Sequence, residues 1–179
     1  MNKDYIQQFD KIIGISGGNL LACLIISNCD LLIIKQKIIE ITNTIKTNKT
    51  SVFKYLDIIK QFYKENLPDN AYILCSNKLH IQSIHIYSCS VVCFHTFSSN
   101  DDLIDKLLKS CHIPFLCNTI TNEGYIDRMW NSGKNNCCHH STEKLILDTN
   151  LSNTLDLLNF PDETFIQTQF QQGFNSINI

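Results

Sequence analysis

The sequence predicts an α/β domain in which strands and helices are mixed along the chain. Three observations predict it. Short β-branched apolar runs are bounded by turn residues. Two lysine-bearing segments repeat apolar positions at helical spacing. The sequence Gly14-Ile15-Ser16-Gly17-Gly18 lies between a strand-like run and an apolar helix. At 179 residues, 44% hydrophobic and 18% charged, the chain has material for one core. With no repeat or linker visible, a single domain over residues 1–179 is expected.

Residues 4–9 read as a polar lead-in. Lys11–Ile15 is a brief β-branched run, the composition of a buried strand, and Asn19–Ile26 continues as an apolar helix. Ile33–Thr47 and Val52–Asn66 read as amphipathic helices. In the second, Phe53, Leu56, Ile59 and Tyr63 share a face, and Pro68 closes it. Ala71–Cys75 reads as a strand. Leu79–Tyr87 alternates, with Leu79, Ile81, Ser83, His85 and Tyr87 on one face, and Ser90–Phe97 follows as another strand. Ser99 and Asn100 offer N-caps, with Asp101 and Asp102 in the first turn, for a helix to about Ser110. Tyr125–Asp127 is a short strand-like piece after Gly124. Residues 131–142 read as a loop, Glu143–Leu147 as a last strand and Asp162–Phe174 as a last helix.

A net charge of −2 with no basic stripe argues against nucleic acid as a partner. The nine cysteines are odd in number and irregularly spaced, and most lie in apolar runs. They read as reduced core residues of a cytoplasmic protein. Residues 1–11 carry no secretory signature. Residues 12–29 are uncharged and long enough to suggest a membrane span. Ser16, Gly17, Gly18, Asn19, Ser27 and Asn28 interrupt them, and a buried strand followed by a buried helix gives the same hydropathy.

The GxSxG sequence has a specific physical meaning. A nucleophilic serine must stand clear of the sheet on a strained turn, so small residues flank it at plus and minus two, here Gly14 and Gly18. Its hydroxyl then sits at a helix N-terminus, where the backbone N–H of Gly17 can stabilise an oxyanion.

The stretch Phe9-Asp10-Lys11-Ile12-Ile13-Gly14-Ile15-Ser16-Gly17-Gly18-Asn19-Leu20-Leu21-Ala22 resembles the nucleophile elbow of patatin-like phospholipases. Further landmarks follow in the family's order. They are Leu79–Tyr87 with Val91–Phe97, the Ser98–Ile104 helix entry, Lys109-Ser110-Cys111-His112-Ile113-Pro114, and Phe170-Gln171-Gln172-Gly173-Phe174. The last two resemble the adiponutrin and adipose-lipase branch. The resemblance implies a three-layer α/β/α domain with a central, mostly parallel sheet. It also implies hydrolysis of phospholipid or acylglycerol esters by a Ser–Asp dyad, without metal or cofactor. Ser16 would be the nucleophile. Asp127, in Gly124-Tyr125-Ile126-Asp127-Arg128-Met129, would be the general base. Contact with a membrane or lipid-droplet surface would follow from such a substrate.

Two departures from the family stand out. Arg128 occupies the place of a glycine after the aspartate. None of the 13 residues before Gly14 is glycine, whereas the family carries a glycine-rich oxyanion loop upstream of the elbow, so an N-terminally truncated domain is expected. Losing one such donor costs on the order of 10²–10³ in rate. An inactive lipid-binding or protein-interaction module, or a fragment of a longer enzyme, therefore stands beside the hydrolase reading.

Other residues invite chemistry less strongly. His80, His85, His95 and His112 follow Ser16 but precede Asp127, unlike the acid–histidine order of an α/β-hydrolase triad; His139 and His140 follow it. Cys137-Cys138-His139-His140 has a metal-like composition, yet adjacent side chains point in alternate directions and do not close a tetrahedron. Met129 and Trp130 suit either a lip at a lipid surface or core positions.

Overall fold

The computed structural model describes residues 8–47, 54–114, 117 and 119–128. The chain divides into two compact units, one of Asn2–Leu31 and Val52–His139, the other of Met1, Leu32–Ser51 and His140–Ile179. The described elements of the first are β1 (Ile12–Ile15), α1 (Gly17–Ile26), α3 (Tyr55–Asn66), α4 (Ala71–Cys75), β2 (Leu79–His85), β3 (Ser90–Phe94), α5 (Asn100–Ser110) and β4 (Tyr125–Ile126). The second unit contributes one described helix, α2 (Leu31–Thr47), whose surface carries a Gln36–Glu40 hydrogen bond one turn apart.

Central strand β2 organises the first unit. It pairs in parallel with β1, Ile12 opposite Leu79 through Ile15 opposite Gln82. It pairs antiparallel with β3, Ile81 opposite Phe94 through His85 opposite Ser90. Two residues of β4 also pair antiparallel with it, Ile126 opposite Ile84 and Tyr125 opposite His85. Among the described strands the sheet is thus mixed, with one parallel and two antiparallel pairs, where the family resemblance implies a mostly parallel one. The connection from β2 to β3 spans residues 86–89, and a parallel crossover needs about a dozen residues or more.

Side-chain alternation places the helices. Gly14 packs on Asn19 of α1, and its partner Ile81 shares a face with Ser83, whose hydroxyl bonds Lys109 O of α5. Helices α1 and α5 therefore cover the same face of β2. Leu103, Ile104, Leu107 and Leu108 of α5 are buried at helical spacing, and Ser99 caps that helix by accepting from Asp102 N at 3.1 Å.

Helix α1 ends as its sequence directs. Asn28 takes a left-handed φ of 57°, while the amides of Asn28 and Cys29 bond Ile25 O and Leu24 O, the paired closure of a Schellman motif. The uncharged run of residues 12–29 thus resolves into a four-residue strand, a turn and a ten-residue helix. Among the described residues no helix is long and apolar enough to cross a membrane.

Ala71–Cys75 is helical rather than the expected strand. The run Ala-Tyr-Ile-Leu-Cys favours a strand by composition, yet Ala71 and Cys75, four apart, are the residues that become buried. Asn70 O accepts from Leu74 N, and Asn100 Oδ1 accepts from Tyr72 N. Tertiary burial of one helical face overrides a local preference of this size. Strands β2 and β3 stop at His85 and Phe94, short of the expected Tyr87 and Phe97. The expected loop at 131–142, the strand at 143–147 and the helix at 162–174 lie outside the described residues.

Candidate functional site

Ser16 joins β1 to α1 with φ 52° and ψ −130°. A serine that merely caps a helix has extended backbone angles and lends its oxygen to the second or third amide. Ser16 has neither: its φ is positive, and its side chain makes no capping bond. A non-glycine residue in that region costs on the order of 1–3 kcal/mol and persists only where its surroundings impose it.

Gly14 is one of those surroundings. A Cβ on it would collide with Asn19 Oδ1 and lie 2.8 Å from Asn19 N. Asn19 is itself fully buried, and its Nδ2 donates to Ser110 Oγ at 3.1 Å, tying the elbow to the end of α5. Ser110 Oγ donates onward to Leu107 O at 2.8 Å. Gly17 and Gly18 are different: both are exposed, and a Cβ on either would meet nothing within 4 Å. Their amides open α1, ahead of its intrahelical ladder.

Asp127 arrives from the opposite direction. β3 already occupies one edge of β2 from Ile81 to His85, so β1 and β4 must share the other edge. β1 climbs that edge to the level of Gln82, and β4 descends it to the level of Ile84. The two strands run towards each other, with only Ser83 between their last paired residues. Ser16 is the residue after one strand and Asp127 the residue after the other.

A tight turn delivers β4. Asn122 and Tyr125 exchange backbone hydrogen bonds of 3.0 and 2.9 Å around Glu123 (φ 51°) and Gly124 (φ 84°), a type I′ arrangement. Gly124 O accepts from Ile86 N at 2.9 Å, seating the turn on the end of β2. Lys109 Nζ bonds Glu123 at 2.8 Å and lies 5.4 Å from the centre of the Tyr125 ring. Asp127 itself is fully buried, so the surface carboxylate that a loop position suggests is not what forms. Its amide donates to His112 O at 2.8 Å. Arg128 is also buried and is not among the left-handed residues, so its backbone is one that a side chain tolerates.

Electrostatics ties these parts together. Burial pushes the Cys111 thiol up to about 12; the Ser110 hydroxyl opposes this, the Asp127 carboxylate adds to it, and the Ser16 hydroxyl opposes it. Cys111 therefore interacts with both Ser16 and Asp127. Burial, followed by the neighbouring Cys111, Cys117 and Asp127, drives the Tyr55 hydroxyl far above its usual range; that hydroxyl donates to Cys111 O at 2.8 Å. Burial and then Asp127 raise Cys117. At neutral pH Tyr55, Cys111 and Cys117 thus stay protonated and uncharged.

The histidines are dispersed. His80 and His95 stack with centroids 5.3 Å apart, and His85 faces Ser88 and Tyr125. The His112 ring meets Thr119 O at 3.0 Å, while its backbone serves Asp127. Among the described cysteines all are free thiols, and Cys23, Cys29, Cys75, Cys111 and Cys117 are buried. Met129, Trp130, Cys137, Cys138, His139 and His140 lie outside the described residues.

Sequence reasoning missed Asn19, Tyr55 and Ser83. The signal for Ser83 was present: a hydroxyl two residues from Ile81 on the same face of an alternating apolar strand.

No protein-family model matches the chain, and no solved structure gives a significant match. The chain is similar to the omega-hydroxyceramide transacylase of Mus musculus, 24% identical over 125 residues that cover 65% of this chain. The Homo sapiens protein of the same name is 25% identical over 114 residues, 62% of this chain. The match spans about a fifth of the length of these curated relatives.

Proposed function

We propose that this chain carries a serine acyl-transfer centre acting on lipid esters, with Ser16 as nucleophile and Asp127 as general base. The observation that carries the reading is the strained backbone of Ser16 between β1 and α1, with its hydroxyl released from capping. The burial of Asp127 at the opposing strand end supports it. The similarity to a transacylase supports a lipid-modifying class.

In this reading Ser16 Oγ attacks the acyl carbonyl, and its proton passes to Asp127. The oxyanion takes the Gly17 N–H and the positive end of α1. Collapse expels the alcohol, which leaves with the proton held by Asp127. Water then attacks the acyl-enzyme, Asp127 again taking and returning a proton, and the acid is released. A lipid hydroxyl in place of water gives transacylation by the same steps. Ile13, Ile15 and Leu21, between 41% and 48% exposed around the elbow, favour a substrate met at a lipid surface.

A second reading, an inactive lipid-binding module, is favoured by the open space over Gly17 and Gly18, where among the described residues a Cβ would meet nothing within 4 Å. Fluorophosphonate labelling separates the two. The expected result is covalent labelling of the wild type that is abolished in Ser16→Ala and reduced by about 10² or more in Asp127→Asn. A folded wild type that resists the probe would leave the inactive module as the better account.

A further inference from the structure

We propose that Ser83 is a positioning residue that fixes the peptide carrying Asp127; this rests on the reading of Ser16 and Asp127 given above. Ser83 lies in the middle of β2, at the level left open between the facing ends of β1 and β4. It is fully buried, on the face that the helices cover. A hydroxyl there has a cost unless it is bonded, and an apolar β-branched residue would suit a central strand better.

Its bonds explain the choice. Ser83 Oγ approaches Ile126 O at 2.8 Å and Lys109 O at 3.1 Å, so its one proton is shared between two carbonyls. The carbonyl of Ile126 and the amide of Asp127 belong to the same peptide plane. That amide is held from the other side by His112 O at 2.8 Å. Both ends of the plane are thereby anchored, and with them the direction in which the Asp127 side chain leaves the backbone. Lys109 O places the second anchor in the same framework, because Lys109 and His112 stand three residues apart at the end of α5. Ser83 thus sets how the base is aimed without touching the substrate.

The test is the kinetics of fluorophosphonate labelling of the purified full chain, resolved into the maximal rate and the half-saturating probe concentration. Misplacement of a catalytic group by about 1 Å costs on the order of 10²-fold. Ser83→Ala is therefore expected to lower the maximal rate by roughly tenfold or more and to change half-saturation by less than about twofold. Ser83→Thr, which keeps the hydroxyl, is expected to restore most of the rate. If Ser83→Ala does not fold, Ser83→Cys keeps the side-chain shape with a slightly larger atom and a weaker donor, and the same loss of rate is expected. Melting curves at each step separate a folding defect from a rate defect. A folded Ala or Cys variant that labels at the wild-type rate, or a Thr variant that restores nothing, overturns the role of Ser83 and leaves the Ser16–Asp127 reading standing. Absence of labelling in the wild type overturns both.

Discussion

A methyl group on Gly14 would strike Asn19 Oδ1 and crowd that residue's backbone N and Cα at 2.8 and 2.9 Å, whereas one on Gly18 would meet nothing within 4 Å. Two glycines of the same motif therefore differ in what they do. Gly14→Ala forces β1 away from α1, and backbone atoms cannot swing aside as a side-chain end can; the expected loss is about 3 kcal/mol in urea denaturation. Gly18→Ala replaces a flexible helical residue with a good helix former and is expected to be neutral or to add up to about 1 kcal/mol. Equal losses at both positions would show that the collision does not control the elbow. This difference marks the limit of what the residues revealed by themselves. The pattern Gly14-Ile15-Ser16-Gly17-Gly18 pointed to the turn, because few other uses exist for a serine between small residues there. The pattern did not say which glycine is crowded, because Asn19 reaches Gly14 only through the closure of the turn.

The hairpin of Asn122–Tyr125 shows the same limit one level up. Glu123 and Gly124 both have positive φ, and Gly124 at 84° sits against the Tyr87 ring, 2.7 Å from where a Cβ would stand. Tyr87 is 79% exposed and can rotate away, so the ring is the lesser obstacle. The cost of Gly124→Ala should come from the backbone and be about 1–2 kcal/mol in chemical denaturation. Adding Tyr87→Ala is then expected to recover little of it. Full recovery would assign the cost to the ring. Elements with a strong local signal, such as the Ser99-capped α5 and the β-branched β1, were legible from sequence, though β1 leaves Ile13 and Ile15 exposed instead of forming the buried strand its composition suggests. The five residues Ala71–Cys75 were not, since a run so short carries either period and burial of Ala71 and Cys75 decides it. The direction of β4 was not legible either. It depends on a two-residue turn seating on β2, which joins residues some forty positions apart.

For the whole molecule, the thiols set how stability varies with pH. Cys23 and Cys75 lie 3.9 Å apart and shift in opposite directions, Cys23 upward first through its hydrogen bond with Cys75 and then through burial, Cys75 downward through the same bond. Cys23 therefore adds to a loss of stability at alkaline pH, and Cys75 opposes it. Cys111 has no such partner, and burial carries it to about 12. The unfolded chain releases that proton near pH 8.5, so above this point the native state holds more protons than the unfolded one. Stability is then fully present below about pH 8.5 and falls as pH rises, by about 1.4 kcal/mol per pH unit for this one group, until the folded value is reached. Tyr55 and Tyr63, also pushed up by burial, add to the fall only above about pH 10, where an unfolded tyrosine ionises. On the acid side, burial raises the Asp102 carboxyl, but Lys106 and the Ser98 amide and hydroxyl outweigh it and hold it low. A depressed carboxylate stabilises above its unfolded value near 4, and that stability is lost as pH falls through its folded value. Urea denaturation of the wild type is expected to give a plateau from about pH 6 to 8 with a fall on each side. Between pH 9 and 10 the fall belongs mainly to thiols. Cys111→Ala is expected to lower the plateau through its cavity and to flatten that interval by roughly one proton's slope. An alkaline slope unchanged in Cys111→Ala would mean that burial does not hold the proton on this thiol.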